Sequence, residues 1–83
     1  MNKIIVNVYL PMAEKSYDIK IPVNVKIGDI VSLVDHCFND LESGYYISSA
    51  DAVLCMRETG TVLDIDKTPR QLMLNNGEEL MLL

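Results

Sequence analysis

Residues 75–83 read NNGEELMLL, a turn pair running straight into a short apolar stretch, and the placement of that stretch decides the fold. Asn-Gly readily supplies the positive backbone φ that a tight reversal needs, because glycine carries no Cβ to clash. Beyond the turn, Leu80 and Leu82 alternate with Met81 and Leu83, so a strand here sends the first pair to one face of a sheet and the second pair to the other. So short a strand cannot bury itself. It needs a longer neighbour.

The opposite end of the chain supplies one. Ile4, Val6, Val8 and Leu10 alternate with Ile5, Asn7 and Tyr9, the period of a strand with one buried face. The loop PMAEKS follows, and Tyr17, Ile19 and Ile21 resume the alternation around Asp18 and Lys20, which makes the first two strands an antiparallel hairpin. After Pro22 the period lengthens, with Ile27, Ile30, Val34, Cys37, Phe38 and Leu41 on one stripe of a helical wheel. The spacing predicts one amphipathic helix over residues 28–41, with Asp29 at the positive end of its dipole and the stretch ESG, through Gly44, closing it. Lys26 stands where a capping Ser, Thr or Asp is preferred.

Residues 53–58 read as a third strand, Thr59-Gly60 as a turn, and Val62, Leu63 and Ile65 as a short fourth strand. In DKTPRQL, Thr68 is placed to cap a single helical turn with Pro69 at its first position, where a missing N–H costs nothing. A helix between an initial hairpin and later strands commonly sets a later strand parallel to an earlier one. Laying residues 79–83 beside the first strand gives an α+β fold: a mixed four- to five-stranded sheet with one helix packed across one face, the β-grasp arrangement. The expected core is Ile4, Val6, Val8, Tyr17, Ile19, Ile21, Leu54, Met56, Leu63, Leu80 and Leu82 against the helix stripe.

With 83 residues the chain is expected to be a single domain, 1–83, too short for a sizeable enclosed active site. Twelve acidic side chains against seven basic ones, the latter spread singly along the sequence, disfavour nucleic acid and anionic lipid as partners and favour a protein. Asn7 and Pro11 interrupt the opening apolar run, so it reads as a strand rather than a signal peptide, and a cytoplasmic chain with reduced thiols is expected. Cys37, Cys55 and His36 have no metal-ligand spacing. No catalytic constellation, metal set or cofactor motif is found, and a non-enzyme is expected.

The informative residues face away from the helix. If Leu80 and Leu82 point inward, Met81 and Leu83 point outward, and Ile5 on the first strand points the same way, so that these side chains are expected to be contiguous. Cys55 and Arg57 join them from the third strand if Leu54 and Met56 are inside; the register of that strand leaves open whether Cys55 or Met56 faces out. Ile5, Cys55, Arg57, Met81 and Leu83 are therefore the candidate protein-binding residues. Tyr45 and Tyr46 read as a lid over the core edge, and His36 as a solvated side chain.

On the first strand IIVNVYL, the helix entry VKIGDIVSLV and the ending LNNGEELMLL, nearly the whole chain resembles ubiquitin, and more closely the bacterial ubiquitin-like YukD/EsaB family of Gram-positive type VII secretion. Pro69 stands where ubiquitin commonly has a core leucine. The resemblance implies a cytoplasmic accessory or regulatory component that docks on the cytosolic face of a membrane secretion subunit, while the two strand pairs and the single amphipathic stripe lead to the expectation of a chain that folds alone as a monomer or weak dimer. It also places Leu83 where ubiquitin has the valine of its recognition patch. Two other roles fit the same fold: a sulfur carrier or protein modifier, and an adaptor of an unrelated complex. The carrier or modifier role needs a flexible Gly-Gly tail, and a sequence ending on Leu83 is expected to lack that chemistry.

Overall fold

The computed structural model describes residues 2–41 and 52–83. Gly44, Tyr45 and Tyr46 lie outside the described residues, as do the side chains of Asp40 and Leu41. In chain order the elements are β1 (Lys3–Leu10), β2 (Lys15–Pro22), α1 (Ile27–Leu41), β3 (Leu54–Met56) and β4 (Glu79–Leu82). They form one four-stranded sheet in the order β2-β1-β4-β3. β1 is antiparallel to β2 and parallel to β4, and β4 is antiparallel to β3.

The alternation along β1 is realised as burial of Ile4, Val6, Val8 and Leu10, and that of β4 as burial of Leu80 and Leu82. Against them α1 sets Ile27, Ile30, Val31, Val34 and Phe38. Burial of each such side chain stabilises by about 1.5–3 kcal/mol. Tyr17, Ile19 and Met56 were expected inside and are only partly buried, because β2 and β3 are the sheet's edges, while Leu10, Val23 and Val31 join the core beyond those expected.

No side chain at Lys26 caps α1, and the structure shows what replaces the cap. The Ile27 N–H donates to the Lys67 carbonyl at 2.8 Å and the Gly28 N–H to the Ile65 carbonyl at 3.0 Å, so a distant loop satisfies the helix's first donors. The approach is close: a Cβ on Gly28 would sit 3.4 Å from that Ile65 oxygen. The loop is itself locked. Thr68 Oγ1 accepts from the Gln71 N–H at 3.1 Å while Gln71 Oε1 accepts from the Thr68 N–H at 2.9 Å, a reciprocal capping box. Pro69 follows as expected and is fully buried.

Two expectations need correction. The third strand is shorter than residues 53–58, and Val62, Leu63 and Ile65 form no fourth strand; a single bridge joins Val62 to Cys55. Gly60, at φ 76°, turns the chain there, and its N–H donates to the Met56 carbonyl at 2.8 Å, which ends the ladder early. The parallel register also differs from the one that would join Ile5 to Met81. Tyr9 stands beside Met81, and Ile5 lies beside the turn: its carbonyl accepts from the Gly77 N–H at 2.7 Å and its N–H donates to Asn76 Oδ1 at 2.6 Å.

Candidate functional site: the outer face of the sheet

The sheet face opposite α1 is built in rungs, because side chains of paired residues share a face. One rung runs Ser16, Tyr9, Met81, Cys55 and Val62 from β2 across to the bridge. Leu83 stands beyond Met81, its main chain exchanging hydrogen bonds with Val53 at 2.9 and 3.0 Å. Val62 is 57% and Leu83 59% exposed, and Tyr9, Val53 and Met81 are half-buried. These side chains make a continuous apolar strip across the sheet.

The next rung is polar. Asn7 Nδ2 donates to Asp18 Oδ1 at 3.1 Å, and Glu79 Oε2 lies 3.9 Å from Arg57 Nη1. Arg57 continues past Glu79, across β4, and sets its guanidinium 4.3 Å from the centre of the Tyr9 ring. That cation–π contact holds the guanidinium against the strip, while the exposed ion pair adds little. Arg57 therefore borders the apolar strip with five N–H donors.

Of the expected site residues, Met81, Leu83 and Arg57 come together here and two others do not. Ile5 is 43% exposed on the same face but is cut off from Met81 by the Asn7–Glu79 rung, so the expected contiguous patch is divided. It lines instead an open hollow of about 440 Å³ with Asn2, Lys3, Lys20 and Asn76. The register that the sequence leaves open puts Cys55 outward, since Leu54 and Met56 pair with the inward Leu82 and Leu80, yet Cys55 has no exposed surface. Met81 and Val62 flank it in the rung, and its thiol donates to the Met81 carbonyl at 3.5 Å. Burial pushes the Cys55 thiol pKa up, and the residue is removed from the exposed face.

Tyr9 and Val62 were missed. Tyr9 stands in the same alternation as Ile5, but only the parallel register shows which of the two meets Met81. Val62 belongs to a stretch that reads as a strand and whose pairing the sequence does not specify. The basic residues are also not spread singly in space, since the hairpin brings Lys3 and Lys20 to one hollow. Among the described residues no cluster of His, Cys, Asp and Glu is arranged to hold a metal ion, and no helix is long and apolar enough to cross a membrane. His36 is exposed.

No protein-family model and no curated protein matches this sequence. Solved structures do match in shape. The EccD5 ubiquitin-like domain from Mycobacterium xenopi superposes with a TM-score of 0.81 at 16% identity, covering 100% of this chain and 94% of that one. The ubiquitin-like domain of the Mycobacterium tuberculosis type VII secretion system protein EccD1 gives 0.69 at 15% identity, with coverage of 100% and 99%. A chain of the MycP5-free ESX-5 inner membrane complex gives 0.84 at 12% identity, 100% of this chain spanning 21% of that one. The fold is the ubiquitin-like β-grasp.

Proposed function

We propose that this chain is a non-catalytic protein-interaction module, a cytoplasmic accessory or regulatory component of a Gram-positive type VII secretion system of the YukD/EsaB kind. The observation that carries the reading is the exposed strip of Tyr9, Met81, Val62 and Leu83 bordered by Arg57 on a ubiquitin-like sheet. Apolar side chains held outward in a continuous strip gain free energy when a second protein removes them from water, and an arginine at the border adds directional hydrogen bonds. The net charge of −5 favours a partner with a basic surface. The similarity to ubiquitin-like domains of type VII secretion proteins, and to a chain of an inner membrane secretion complex, supports a cytosolic domain of a membrane secretion subunit as that partner.

The test is retention of such cytosolic domains on the immobilised chain. Met81→Asp and Leu83→Asp force a charge into the contact and should abolish retention, with an unchanged far-UV circular dichroism spectrum. Retention by both variants would remove the outer face as the interface, and failure of the unaltered chain to retain any type VII subunit would remove the secretion role.

A further inference from the structure

β2 has β1 on one side and, among the described residues, no strand on the other. The phase of its hydrogen bonding follows from the Val23 N–H, which donates to the Asn2 carbonyl at 2.9 Å. Residues 23, 21, 19, 17 and 15 then direct their main chains at β1, so Ser16, Asp18 and Lys20 direct N–H and C=O groups outward, and Pro22 ends the row of donors. An open ladder of this kind is a template for another strand.

Beside that ladder lies an apolar groove of about 180 Å³ between β2 and α1, with Ile19, Ile21, Val34 and Cys37 in its walls and Leu33, 59% exposed, at its rim. Lys20 is the charged residue that lines it. Any strand added to β2 must alternate as β2 does, dropping every second side chain over Ile19 toward Leu33 and Cys37 and turning the others to the face that carries Lys20. The nearest acidic group on that face, Asp18, is engaged by Asn7, whereas Lys3 joins Lys20 around the neighbouring hollow.

We propose that the β2–α1 groove binds an extended peptide segment of a partner protein by strand addition, with apolar side chains at alternate positions in the groove and an acidic side chain between them facing Lys20. Main-chain hydrogen bonds from Ser16, Asp18 and Lys20 supply sequence-independent attachment, the groove selects the apolar positions, and the lysine selects the charge. The groove lies on the helix side of the sheet, Lys20 lies on the other face with β1 between it and the apolar strip, and the proposal does not depend on the outer-face reading.

The test is a nuclear magnetic resonance titration of the ¹⁵N-labelled whole chain with a short capped peptide alternating valine and glutamate, against its valine–lysine counterpart. Amide shifts are expected at Ser16, Asp18, Lys20, Leu33 and Cys37, with Tyr9 and Met81 unmoved and the lysine peptide inactive. Leu33→Glu and Lys20→Glu, both at exposed positions, should keep a dispersed spectrum and weaken the glutamate peptide at least about tenfold, and Lys20→Glu should transfer the preference to the lysine peptide. Equal binding of both peptides, shifts centred on Tyr9 and Met81, or no binding below about 1 mM would overturn the proposal. Shifts of the β2 amides on concentrating the chain alone would show that a second copy is the occupant, and would overturn it equally.

Discussion

Cys55 sits in the outward row of β3 and is nevertheless sealed, whereas Cys37, on the helix stripe, is half-exposed in the wall of the β2–α1 groove. Sequence position pointed the other way in both cases. A disulfide-exchange reagent should therefore titrate Cys37 in the native chain and reach Cys55 only after unfolding; simultaneous reaction of both under native conditions would contradict the burial of Cys55. The raised pKa of Cys55 adds a pH dependence with a definite sign. The unfolded chain loses this proton near pH ~8.5 while the folded chain still holds it, so the unfolded state binds fewer protons and stability falls as pH rises above that value toward the folded pKa. Below it the contribution is complete and flat. Urea midpoints measured from pH 7 to 10 should decline for the native sequence and decline less for Cys55→Ala.

The elements show which interactions carry the fold between strands. α1 begins on carbonyls of Ile65 and Lys67, and that loop is fastened by the Thr68–Gln71 capping box, so a local cap supports a helix end remote in sequence. Thr68→Ala should cost about 1 kcal/mol in global stability and should also speed hydrogen exchange at the Ile27 and Gly28 amides. Unchanged exchange there would separate the loop from the helix. Gly77, at φ 92°, has open space around it, so Gly77→Ala tests backbone strain alone and should cost about 1–2 kcal/mol. The hairpin, the helix and the closing strand were legible because their periods of two and nearly four recur over enough residues to be distinct. Residues 62–65 were not legible as a loop, because Val62, Leu63 and Ile65 carry strand-like side chains while the decision rests on the turn at Gly60. Nor was the alignment of β1 with β4, since alternation fixes which face a residue takes and leaves its neighbour on the next strand undetermined. That is why Met81, Leu83 and Arg57 could be placed on one face from sequence, whereas the β1 neighbour of Met81 reads as Ile5 and is Tyr9.

At the scale of the molecule, the sheet separates two surfaces of different chemistry. The strip of Tyr9, Met81, Val62 and Leu83 offers side chains alone, since the strands beneath it are paired, whereas the β2 edge offers main chain as well as a groove. The groove and the strip lie on opposite faces of the sheet, Lys20 shares the face of Met81 with β1 between them, and neither surface shares a side chain with the other. Substitutions at sites without shared partners add within about 0.3–0.5 kcal/mol. A chain saturated with the valine–glutamate peptide should accordingly retain its outer-face partner at undiminished affinity, Leu33→Glu should abolish the peptide without affecting the partner, and Met81→Asp should do the reverse. Calorimetric titration of each ligand in the presence of the other measures this directly. A coupling beyond about 1 kcal/mol would mean that binding at the edge repositions β1 or β4, because those strands are the physical connection between Lys20 and Met81, and the two surfaces would then have to be treated as one switchable site.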